Sequence, residues 1–219
     1  MVKYFVSTPM LRTIATAAAF VLVVAAASDG AAQSSSDLPP GVYAGGKTLS
    51  EARAGTYTID PDHMAVLARV QHIGYSWLVF RFDKASGKLG WDPAAPEKST
   101  LSVAVQTGSI TSNVKDFGTQ LAGDDYLKAA KFPEATFVST AFHRTDEMHG
   151  TVDGRFSLMG TTKPVTFEVE LVGAGKGWAD KPRLGVHAAA HIVPQDYGFP
   201  ALFGNTIEIV VDTEFERAP

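Results

Sequence analysis

The chain contains no cysteine. That excludes disulfides, thiolate metal sites, a cysteine nucleophile and a lipid-modified cysteine at a mature N-terminus. Clustered basic residues are missing too. Nineteen Lys and Arg stand against 23 Asp and Glu, a formal net charge of −4, and nucleic-acid binding needs basic patches to neutralise phosphates. The acidic excess is too small to call for a basic partner. Long apolar runs are limited to one, Ile14 to Ala27, which approaches the lower limit for spanning a bilayer. With 219 residues, 45% hydrophobic and 19% charged, the rest of the chain suits one domain with a real core.

Lys3 and Arg12 precede the apolar run and small residues come after it. Charged start, short apolar stretch and small-residue exit is the pattern of a cleaved export signal. Cleavage falls after Ala27, with Ala25 at −3, or after Ala32; the alternative is an uncleaved membrane anchor. The expected organisation is a signal peptide over 1–32, a linker over 33–54 and a β-rich domain over 55–219. The leader implies a periplasmic location.

From Gly55 onward the chain consists of runs in which apolar and polar residues alternate, separated by Gly- and Pro-rich turns. Val165, Phe167, Val169 and Leu171 alternate with Thr166, Glu168 and Glu170, the clearest half-buried strand. About eight such strands can close into an antiparallel barrel that holds side chains or one small ligand. A register centred on Gly74 sets Val70 opposite Leu78, Ala68 opposite Phe80 and Val66 opposite Phe82. Small opposite large packs well on a pleated surface. Between Asn113 and Ala130, Val114, Phe117, Leu121, Tyr126 and Leu127 recur at helical spacing, weakened by Gly118 and Gly123. The fold class is therefore mainly β: an eight-stranded antiparallel barrel with one or two short helices inserted between strands.

Signals of chemistry fail on context. Gly41 to Thr48 matches the spacing of a phosphate-binding P-loop, but no strand precedes it and any helix ends by Gly55. Gly173 to Gly177 leads to Trp178 and Pro182, and reads as a loop rather than a dinucleotide site. His187 and His191 would share a helix face, but on a strand they lie about 13 Å apart, too far for one ion. His143 and His149 flank a turn and read as exposed. Gly74-Tyr75-Ser76-Trp77-Leu78 lacks the second glycine of a nucleophile elbow, and Asp124 and Asp125 read as solvated or capping residues.

Several stretches together resemble the YceI-like family of lipid- or polyisoprenoid-binding proteins. Tyr57-Thr58-Ile59-Asp60 with His63 is similar to its opening motif. His72-Ile73-Gly74 and Phe82 are similar to its first hairpin, and Leu121 through Phe132-Pro133 to Ser139 to its central helix-to-strand signature. Gly154 to Val165 resembles its hairpin around a Gly-Thr-Thr-Lys-Pro turn. The resemblance implies a lipocalin-like antiparallel barrel with a long apolar channel, and an exported carrier or storage protein for an isoprenoid lipid, a polyisoprenoid or a quinone, with no established reaction and no cofactor. It implies links to stress responses and to a membrane cytochrome as partner. Three residues depart from the family's pattern: Phe80 stands where Gly is usual, Ala68 where Phe is frequent, and Pro194-Gln195 where Arg is usual. Arg suits phosphate geometry, so the last departure weakens a phosphate-head site.

On this reading Val66, Val70, Leu78, Phe80, Phe82, Val103, Phe137 and Phe167 line an apolar channel. His72 and Arg81, on opposite faces of regular strands, are the candidates for its polar end. A histidine-based haem or metal centre is the second reading. An exported hydrolase using Ser76 and His72 and an interaction module with a filled core are further alternatives.

Overall fold

The computed structural model describes residues 38–177, 180–200, 204 and 206–218. The expected signal peptide and residues 33–37 of the expected linker lie outside the described residues. The described part is mainly β. Its strands are β1 (Gly55–His72), β2 (Ser76–Phe82), β3 (Ala85–Trp91), β4 (Thr100–Gln106), β5 (Ile110–Thr111), β6 (Glu134–Arg144), β7 (His149–Leu158), β8 (Thr161–Lys176), β9 (Pro182–Ile192) and β10 (Ile207–Arg217). One α-helix, α1 (Phe117–Ala122), and a few 3-10 turns join them.

The sheet runs β10-β9-β8-β7-β6-β4-β3-β1-β2-β5, and β10 also pairs with β1, which closes the barrel. Every ladder is antiparallel. Two wall positions are broken strands. The edge of β1 away from β10 pairs with β3 through residues 55–58 and with β2 through residues 66–72. β5 likewise continues the line of β4 and touches β2 only at Arg81–Thr111 and Phe82–Ile110. Counted by wall position, the barrel has eight strands, as the alternation predicted.

Alternation sets the inside from the outside. Along β8, Val165, Phe167, Val169 and Leu171 turn inward while Thr166, Glu168 and Glu170 stay exposed. The register about Gly74 is the one predicted: Val70 faces Leu78, Ala68 faces Phe80 and Val66 faces Phe82. The buried apolar residues form two core clusters. One gathers Val70, Phe80, Leu121, Leu127, Phe156 and Tyr197; the other gathers Ala52, Tyr57, Leu89, Leu184 and Phe215.

The nucleotide-like glycine segments have a structural role instead. Gly173 to Lys176 is the end of β8, a correction to the expected loop. The reason is a second partner: Gly46 and Ala174 exchange both backbone hydrogen bonds, at 2.7 and 2.9 Å. Gly45 and Gly173 meet there, backbone against backbone, because neither carries a side chain. The segment after Gly46 then packs onto the barrel. Ala52 is fully buried, its carbonyl accepts from Trp91 Nε1 at 3.2 Å, and the Arg53 carbonyl accepts from the Tyr57 hydroxyl at 2.6 Å. After Thr48 the chain makes a single 3-10 turn, Leu49–Glu51, not the helix a phosphate loop requires.

Candidate functional site: an apolar channel with a polar rim

A cavity of about 280 Å³ lies inside the barrel. Val66, Val70, Phe80, Phe82, Val103, Phe137 and Phe167 are on its wall, so seven of the eight expected lining residues face one space. Leu78 is half-buried and packs against the adjoining core rather than the cavity. Phe137 and Phe167 meet edge to face with ring centres 5.0 Å apart. Phe137 has room to do so because residue 154 is Gly: a Cβ there would stand 2.3 Å from Phe137 Cζ.

The two ends of the channel differ. At one end the wall is made of buried residues, among them Thr107, Ile110, Leu121, Leu127, Phe199 and Ile207. Leu121 belongs to α1, and Phe117 of that helix packs its ring on Phe80 at 5.9 Å. The predicted helical insert is thus a plug, six residues long and continued by turns. At the other end the lining runs onto the β6–β7 hairpin, where His143, Arg144, Asp146, Glu147 and His149 are exposed. Among the described residues, these five are the only ionisable side chains on the wall. A ligand with an apolar body and a polar head therefore has one orientation that leaves neither part mismatched.

The rim hairpin is internally tied. Asp146 accepts from the Met148 and His149 amides, both at 2.8 Å, and meets His149 Nδ1 at 2.9 Å. Those hydrogen bonds hold its carboxyl below the usual range, the two backbone donors most strongly. Arg144 Nε donates to the Asp146 carbonyl at 2.9 Å, and His143 pairs with Asp153 at 2.9 Å.

Neither expected polar-end residue is on the wall. His72 is exposed beside the β1–β2 turn, directly across from Ser76. Arg81 points outward and pairs with Asp83 at 2.9 Å. The rim residues escaped the sequence reading because a Thr-Asp-Glu turn looks solvated by itself; only barrel closure brings it over the channel. The remaining histidines do not converge. His187 and His191 lie on strand β9, and His187 pairs with Asp212 at 2.7 Å. Among the described residues, one group has metal-ligand spacing: Asp60, His63 and Glu214, with ligand atoms within 4.8 Å of one another. Arg183 already supplies the cation there, with Nη1 2.7 Å from Asp60 and 2.5 Å from Glu214.

Comparison with known proteins agrees with this architecture. Residues 57–215 match the YceI-like domain. A UPF0312 protein of Pseudomonas putida strain W619 is 36% identical over 171 residues, covering 76% of this chain and 89% of its own. The protein YceI of Salmonella arizonae is 34% identical over 174 residues, covering 76% and 90%. Among solved structures, Burkholderia cenocepacia BcnA superposes with a TM-score of 0.64 at 20% identity, over 71% of this chain and 98% of its own. A polyisoprenoid binding domain from Saccharophagus degradans superposes with a TM-score of 0.56 at 14% identity, over 76% and 100%. Those two structural likenesses are of fold. The family match spans most of the chain and the curated relatives share a third of its residues, so this chain belongs to the YceI-like family.

Proposed function

We propose that this protein binds an isoprenoid lipid, a polyisoprenoid or a quinone, with the tail in the channel and the polar head at the β6–β7 rim. The observation that carries this reading is the distribution of charge on the cavity wall: apolar for its whole length, ionisable at one end only. A fold shared with a polyisoprenoid binding domain supports it. Burying a few hundred Å² of tail contributes on the order of 10 kcal/mol gross, before ordering costs. That suffices for useful affinity without a charged clamp.

In this reading the protein is a binder rather than a catalyst. The leader-like N-terminus supports export to the periplasm, where it acts as a carrier and a membrane cytochrome is a candidate recipient for a quinone. The test is to purify the protein from its native host under mild conditions, record native mass spectra and extract it with organic solvent. We expect a bound isoprenoid lipid. An empty extract together with no uptake of added isoprenoids would overturn the reading. Absorbance and elemental analysis of the same preparation test the histidine-based haem or metal alternative.

A further inference from the structure

The tip of the β1–β2 hairpin is apolar and exposed. Ile73, Tyr75, Trp77 and Val79 occupy alternate positions and are 74, 89, 48 and 47% exposed. Ile73 is costly twice over. It takes a φ of 50° before Gly74 at 79°, a conformation that β-branched residues avoid and that Asn or Asp would fill comfortably. The β7–β8 turn offers an internal control. Met159 and Gly160 take nearly the same φ values, 49° and 78°, but Met159 packs against the core while Ile73 stands in solvent. Burial explains the apolar residue in one turn and not in the other.

We infer that this hairpin tip is a docking surface for a phospholipid bilayer. Three features choose the bilayer over a protein partner. Tyr and Trp are the side chains suited to the membrane interface, with an apolar ring and one polar handle, and Ile at the apex suits the acyl boundary. No carboxylate occurs from Val70 to Phe82, while Arg69 and Arg81 flank the tip. The Arg69 guanidinium lies 5.2 Å over the Trp77 ring. Both arginines also have carboxylate partners, Glu208 at 2.6 Å and Asp83 at 2.9 Å, so the tip is matched to an interface of mixed headgroups rather than to a strongly anionic surface. Last, at 150–250 Å² for a whole aromatic side chain the four residues offer roughly 500 Å², under the ~800 Å² per partner of a stable protein interface. That a cargo of membrane lipid brings the protein to a bilayer rests on the function proposed above; the exposed tip itself does not.

The experiment is vesicle flotation with the protein in the form its host accumulates. Vesicles of phosphatidylcholine alone and of phosphatidylcholine with phosphatidylglycerol in equal parts are compared. The variant is Ile73→Asn with Tyr75→Ser, in which Asn relieves the backbone, so misfolding does not account for a loss. We expect the wild type to float with both vesicles and the variant to partition about tenfold less or weaker still, from the apolar area removed. Its melting temperature should be unchanged or higher and its extracted lipid unchanged. Equal flotation of the two proteins, or no flotation of either, overturns the proposal. A wild type that sediments as a dimer beside a monomeric variant overturns it in favour of a second copy of the chain. A wild type that floats while the variant does not, with no lipid extracted from either, counts against the channel reading instead and leaves the docking surface standing.

Discussion

Ala68 and Phe80 carry the sharpest residue-scale prediction. They face each other across β1 and β2, both on the cavity wall, and Phe80 also meets Phe117 of the plug. Against the pattern that the resemblance implies, each reverses the usual size, and a compensating swap would preserve the volume of the wall while moving its bulk. Ala68→Phe alone forces a ring into occupied space, costing about 1–3 kcal/mol. Phe80→Gly alone leaves a void, costing about 3–5 kcal/mol. The double variant should lose less than the sum, with a coupling of about 0.5–3 kcal/mol measured by denaturant unfolding. Additive losses would show that the two side chains do not share one space. The register behind this pair was legible in the sequence because a turn glycine and alternating residues fix hairpin pairing locally. Leu78 shows the limit: the pattern gives its face, but not that the adjoining core takes it before the cavity does.

At the scale of elements, the informative place is the irregularity in β1 between Ile59 and Met64. Asp60 there binds the Asp62 amide at 3.0 Å, His63 Nδ1 at 2.9 Å and Arg183 at 2.7 Å, fastening β1 to β9. Burial pushes the Asp60 carboxyl up, but the hydrogen bonds from His63, the Asp62 amide and Arg183 outweigh it and hold it below its ordinary 3.8. The bond to Asp60 raises His63 above 6.5, against a smaller opposing effect of burial. A lowered carboxylate stabilises the fold above its unfolded value and loses that contribution as pH falls. A raised histidine stabilises below its unfolded value and loses it as pH rises through the folded one. The cluster therefore contributes most between about pH 4 and 6.5. Comparing melting temperatures of wild type and Asp60→Asn across pH checks this. The gap should be widest in that window and close on the acid side; a gap constant into acid would contradict it. Elements themselves were unevenly legible. β3 was not expected, because Gly87 and Gly90 interrupt its alternation. Gly87 is there for packing, since a Cβ would come within 2.9 Å of Ile59 Cδ1 and the Ser102 carbonyl. The end of β8 looked like a loop for a related reason: its glycines serve a backbone approach from residues far away in sequence.

The whole molecule is held by contacts between distant parts of the chain. Closure was legible as a count of alternating runs, but the channel's polar end was not, since it depends on which turn closure places over the opening. The closing ladder joins the domain's first and last strands, from Tyr57 opposite Arg217 to Val70 opposite Ile207. Time is the dimension in which this matters. Until β10 exists, β1 presents an unpaired edge and the channel lining faces water, a state that cannot be stable alone. Folding must therefore wait for the domain's final strand and proceed through pairings of high sequence separation, which are slow to form. A chain cut before Ile207 should show no cooperative melting transition. Under the export proposed above, a fold that cannot form piecemeal during synthesis would leave its precursor extended and unfolded for as long as a translocation channel needs to thread it.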